Sequence, residues 1–221
     1  MPIEVDAIIA RLLERHGTLF SAELGLDLQK NTPSILFRWL CAALLMSARI
    51  SHEAAIRAAR ALSDTGWTTA ARMAESQWED RVEVLNHAGY ARFDESTARM
   101  LGDTARHLLD EYDGDLRKLR AATNGDIALQ RKRLKACKGI GDVGADIFFR
   151  EIQTIWPEHY PFLDARARSA AQHLGLPDTA DALSKLVGRT RYAKLVTAVV
   201  RADLNGVSKD QLLEERHEAG A

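Results

Sequence analysis

The stretch "CKGIGDVGADIFFREIQTIWPEHYPFLDARARSAAQHLGL", Cys137–Leu176, sets two glycines, Gly139 and Gly141, between a basic segment and an apolar one, with Asp164 further on. Upstream, Ile127, Leu134 and Cys137 mark one face of a helix. Downstream, Ile147, Phe148, Ile152 and Ile155 mark one face of a second. The spacing therefore predicts a helix, a tight turn "KGIGD" and another helix.

Glycines at 139 and 141 permit positive φ and remove side chains, so backbone amides of the turn can approach an anion closely. Two readings are open here: a turn that only joins packed helices, or one that cradles a phosphate. The nearby cations Arg131, Lys132, Arg133, Lys135 and Lys138, with Arg117, Lys118 and Arg120 upstream, form a solvated face in the first reading and phosphate contacts in the second. The segment "WPEHYPFLDARARSAAQHLGL" then delivers Asp164 to the first turn of a helix, where the dipole and free amides favour an ionised carboxylate.

Outside this stretch the sequence sets bounds. The chain has 221 residues and 46% hydrophobic content, enough for one large domain or two small ones. No run approaches the roughly 18 apolar residues of a membrane span, and "MPIEVDAIIARLLERHG" carries charges where a signal peptide is apolar, so a cytoplasmic, non-membrane protein is expected. Cys41 and Cys137 lack metal-ligand spacing and read as reduced, partly buried thiols. A net charge of −1 gives no global signal for nucleic acid, so any such site must be a local basic patch.

With 5 prolines and 14 glycines, and apolar residues at three- and four-residue spacing, the chain reads as all-α. Helices are predicted over 4–16, 33–48, 51–64, 69–75, 77–87, 94–111, 115–121, 126–137, 143–155, 164–174, 179–187, 190–204 and 208–217. Thr32 before Pro33, and Ser51, are marked helix starts. The helix from Pro33 is apolar around most of its circumference and should be central. The charged tail "KDQLLEERHEAGA" reads as a short amphipathic helix. Trp39, Trp67, Trp78 and Trp156 show no platform spacing and are expected to pack in the core or at helix ends.

The order "KGIGDVGA", a proline-bearing loop and "LDARARSAAQHLGL" resembles the helix-hairpin-helix DNA glycosylase superfamily, whose signature is a hairpin followed by a Gly/Pro-rich loop and a catalytic aspartate. The likeness extends weakly over residues 30–205, through "LFRWLCAALLMSARIS" and "LNHAGYARFDESTARMLGDTARHLL". It implies that Asp164 is the catalytic carboxylate. Lys135, Lys138, Gly139, Ile140, Gly141, Val143 and Gly144 would hold a DNA phosphate, beside a monovalent cation on the main-chain carbonyls of Lys135, Cys137 and Ile140. Where bifunctional relatives carry the Schiff-base lysine this chain has Val143, and it has no cysteine after Cys137 for the iron–sulfur cluster common in the endonuclease III branch. Both departures point to the monofunctional members, including the alkyl-base glycosylases, with no cofactor required beyond that cation.

The resemblance implies two helical lobes, residues 27–155 containing the hairpin and residues 1–26 with 156–221 as the other, with Asp164 in a cleft between them. The implied activity is hydrolysis of the N-glycosidic bond of a damaged base in duplex DNA by a monomer, with the carboxylate stabilising an oxocarbenium-like sugar or activating water. A flipped base needs a pocket and a gap filler. Arg49, where relatives carry a gap-filling glutamine, is the candidate wedge; an exposed helix-end arginine or a phosphate contact are the alternatives. Tyr90, Arg92 and Phe93 in "GYARF" offer stacking and hydrogen bonding for the base, or core packing. His159 and His173 are lesser acid–base candidates, and Lys135 or Lys138 the amines that would serve a lyase. The rival reading is a DNA-binding protein that keeps the hairpin without catalysis.

Overall fold

The computed structural model describes residues 2–214. The chain begins α1 (Pro2–His16), α2 (Phe20–Glu23), α3 (Pro33–Met46), α4 (His52–Asp64), α5 (Ala70–Glu75), α6 (Trp78–His87) and α7 (Asp94–Tyr112). It continues α8 (Leu116–Ala121), α9 (Ile127–Leu134), α10 (Asp142–Ile152), α11 (Ala165–His173), α12 (Ala180–Leu204) and α13 (Lys209–Glu214), with short 3-10 turns at Leu28–Lys30 and Pro157–His159. No strand occurs among the described residues, so the fold is all-α. None of these helices is long and apolar enough to cross a membrane. The end of the expected 208–217 helix and most of the charged tail lie outside the described residues.

Helices start where a side-chain acceptor meets periodic apolar residues. Thr32, Ser51, Thr69, Asp126 and Thr179 each accept an amide of the following helix's first turn. The chain divides into two compact units, 24–149 and 1–23 with 150–221, and the division falls inside α10.

In the unit 24–149, α3 is buried on most sides from Leu36 to Leu45. It packs against α4 and α8, while α5 and α6 pack on α7. The Trp39 indole donates to the Phe148 carbonyl at 3.1 Å. Arg81 is only 3% exposed and staples three helices: its Nε donates to Ala98 O at 2.8 Å and one terminal nitrogen to Met73 O, Ser76 O and Ser76 Oγ. Gly102, in mid-α7, makes room for that guanidinium, because a Cβ there would sit 2.7 Å from Arg81 Nη2.

In the other unit, α1 packs on α12 and α13, and α11 on α12. Buried Glu151 accepts the Phe20 and Ser21 amides at 2.7 and 3.0 Å and the Thr197 hydroxyl at 3.3 Å, supplying from a distance the cap that α2 lacks locally. Helix α12 is interrupted at Gly188 (φ 69°, ψ 166°), between the two helices expected over 179–187 and 190–204.

Candidate nucleic-acid interface

Helix α9 ends at Leu134, and the Ile140 amide closes the following turn on the Cys137 carbonyl at 3.0 Å. The Thr104 hydroxyl of α7 donates to the Lys138 carbonyl at 2.7 Å and anchors the turn. The first amide of α10 bonded back along the helix is Ala145, to Gly141 O at 3.0 Å, so the amides of residues 142–144 precede the intrahelical ladder.

The two turn glycines differ in cause. Gly139 has φ +86°, and a Cβ there would lie 2.8 Å from the Met100 sulfur and 3.1 Å from Leu44 Cδ1, so local conformation and packing both require glycine. Gly141 is exposed, is not among the positive-φ glycines, and a Cβ there would meet nothing within 4 Å. The fold itself places no demand for glycine at position 141. Gly144 is buried against Ile140 and Ser47, whereas the Val143 residue is 59% exposed.

The basic run is partly neutralised by acids of the next helix. Arg131 donates to Asp146 at 2.6 Å and to Asp142 at 3.0 Å, and Lys135 reaches the same Asp142 oxygen at 2.8 Å. Hydrogen bonds from Lys135 and then Arg131 hold the Asp142 carboxyl below its ordinary pKa. Lys138 stays exposed and lines a cavity of about 600 Å³ with Arg92, Phe93, Arg99, Met100 and Asp103. Arg92 stacks on the Phe93 ring at 5.2 Å. Tyr90 does not join them: it is fully buried, with its hydroxyl on the Leu45 carbonyl at 3.0 Å. Arg49 is exposed on the bend after α3. The thiols of Cys41 and Cys137 are buried rather than partly exposed, and burial raises both pKa values, that of Cys137 to about 12. The Cys137 carbonyl, which would share in holding a monovalent cation, accepts the Ile140 amide and keeps a second lone pair.

In the unit containing α11, Asp164 caps that helix, its Oδ1 accepting the Ala167 amide at 3.1 Å. Its Oδ2 accepts Arg150 Nε at 2.8 Å, and the two side chains are 1% and 5% exposed. Burial pushes the carboxyl up, but the Arg150 charge and hydrogen bond, with the capping amide, bring it below its ordinary value. The amide of Gln153 donates to Phe162 O at 3.2 Å and its oxygen accepts Phe162 N at 2.9 Å, fixing the loop before Asp164. The Tyr192 hydroxyl is buried without a hydrogen-bond partner among the described residues, and burial, followed by the neighbouring Tyr160 and Asp164, raises its pKa. His159 is buried in the loop and His173 is exposed at the end of α11. Sequence reasoning missed Arg150 as the aspartate's partner and Asp142 and Asp146 as partners of the basic run. The spacing of acids on α10 was a signal for the latter.

No protein-family model, curated protein or solved structure matches this chain.

Proposed function

We propose that the protein holds the backbone of duplex DNA through the turn at 138–144, as a helix-hairpin-helix protein, and acts on it as a monofunctional DNA glycosylase with Asp164 as the carboxylate. The observation that carries the DNA-binding part is Gly141, a glycine that neither backbone strain nor protein packing requires. Close approach of a phosphate to the amides of 142–144 supplies the missing reason. The carbonyls of Lys135, Cys137 and Ile140 are the atoms that would hold a monovalent cation beside it.

The catalytic part is supported by Asp164, a carboxylate held ionised at the start of a helix. In that role it would stabilise positive charge on the sugar or take a proton from water at Oδ2. One observation favours a second reading, DNA binding without chemistry: both Asp164 oxygens are engaged and Arg150 neutralises the charge. For catalysis the Arg150–Asp164 pair must part.

One measurement tests the DNA binding that both readings share, and a second separates them. Gly141→Ala is expected to leave stability unchanged or raise it by about 0.4–1 kcal/mol while weakening duplex binding roughly tenfold. Gly139→Ala should cost about 2 kcal/mol or more of stability. Unweakened binding in Gly141→Ala would sink the DNA-binding reading. Duplexes bearing alkylated, oxidised or deaminated bases are then incubated with excess protein and scored for breaks before and after alkali. Alkali-dependent breaks that vanish in Arg150→Gln/Asp164→Asn, which removes both buried charges together, support the glycosylase. Intact strands throughout, with DNA bound, support the non-catalytic reading.

A further inference from the structure

One group of cations without carboxylate partners among the described residues belongs to α12. From 182 to 202 the sequence has no Asp or Glu but carries Lys185, Arg189, Arg191, Lys194 and Arg201. The first four are exposed, and none is in an ion pair among the described residues. Their other contacts are neutral: Arg191 Nε lies 3.4 Å from the Val187 carbonyl and Arg189 sits over the Tyr160 ring at 4.7 Å. By contrast, Arg131 and Lys135 at the turn are committed to Asp142 and Asp146.

The break at Gly188 arranges this group. The helix restarts at Arg189, its inner face formed by buried Tyr192, Ala193, Leu195 and Val196. Thr190, Arg191 and Lys194, three and four residues apart, therefore share the outer stripe. In a chain whose net charge is −1, a run of four exposed cations with no ion pair among the described residues keeps an electrostatic cost that a polyanion removes.

We infer that the segment of α12 around the Gly188 break, through Lys185 before it and Arg191 and Lys194 after it, is a second contact for the phosphate backbone of duplex DNA. This rests on the DNA-binding reading above and adds a site to it. The two contacts differ in kind: Gly141 acts through neutral amides beside the single exposed Lys138, whereas this site offers several charges, so it should carry the larger part of the salt dependence.

The test is fluorescence anisotropy with a labelled, undamaged duplex between about 50 and 200 mM salt. It compares the wild-type chain with Lys185→Gln/Arg191→Gln/Lys194→Gln and with Gly141→Ala. All three altered cations are exposed, and circular dichroism checks that the triple variant folds. The triple variant should lose roughly tenfold or more in affinity at the lower salt, and its slope of log K against log salt should fall by about 2 or more. Gly141→Ala should lose affinity with its slope unchanged. A triple variant that binds with the wild-type affinity and slope overturns the inference. If the triple variant loses slope while Gly141→Ala binds normally, the second contact stands and the turn's role falls. Wild-type protein that ignores the duplex overturns both, and capture by anionic phospholipid vesicles instead would reassign the patch to a membrane surface.

Discussion

Asp164 and Glu151 are buried acids of one compact unit whose surroundings push them in opposite directions. For Asp164 the neighbouring guanidinium outweighs burial, and its pKa falls below the ordinary 3.8. The stability it contributes is present above that ordinary value and is lost as pH falls through the lowered one. Glu151 meets two amides and a hydroxyl, and burial dominates, raising it above 4.5. Its contribution is present below 4.5 and is lost as pH rises through the raised value. Asp164→Asn should therefore cost about 3–5 kcal/mol in urea unfolding at neutral pH, because Arg150 is left buried without a counter-charge. That deficit should shrink below about pH 4. Glu151→Gln should lessen the decline in stability that the wild type shows above about pH 4.5. A pH-independent difference in either variant would contradict the assigned environments.

At the scale of elements, α7 shows how one cation dictates a neighbour's sequence. A glycine in mid-helix ordinarily costs about 1 kcal/mol relative to alanine. Gly102 is retained because the Arg81 guanidinium occupies the space a methyl group would need. Gly102→Ala should thus destabilise the wild type, yet stabilise an Arg81→Met background by up to about 1 kcal/mol, a reversal of sign readable in thermal unfolding of the four proteins. The helices themselves were legible because their signals are local: caps at Thr32 and Ser51, the apolar circumference of α3, and the gap between the two helices expected in α12. The reach of side chains was not. Glu151 caps a helix 130 residues upstream, and Arg150 meets Asp164 across a loop. Tyr90 and Phe93 stand in one short motif, yet one is core and the other lines a cavity, a difference fixed by how the chain leaves α6. The position of Asp164 at a helix start was readable, but its loss of solvent was not.

For the whole molecule, a net charge of −1 conceals separate pairing of its charges. Acids and bases neutralise one another beside the turn, whereas the segment 182–202 has bases alone. On the proposed DNA-binding reading, association should accordingly follow the placement of charge rather than its total. Arg191→Glu combined with Asp64→Lys, both at exposed positions, leaves the sum at −1. This variant should still bind a duplex at least roughly tenfold more weakly than the wild type, with a shallower salt dependence. Equal binding by the two proteins would show that only total charge matters.

The two turn glycines also face different constraints. Position 139 answers to folding in every descendant that keeps this turn, since any other side chain there meets Met100 and Leu44. Position 141 answers only to what touches the turn from outside. On the proposed DNA-binding reading, a lineage that abandoned the nucleic acid would lose selection at 141 while 139 stayed constrained, so the residue at 141 would become a heritable mark of whether that partner was kept.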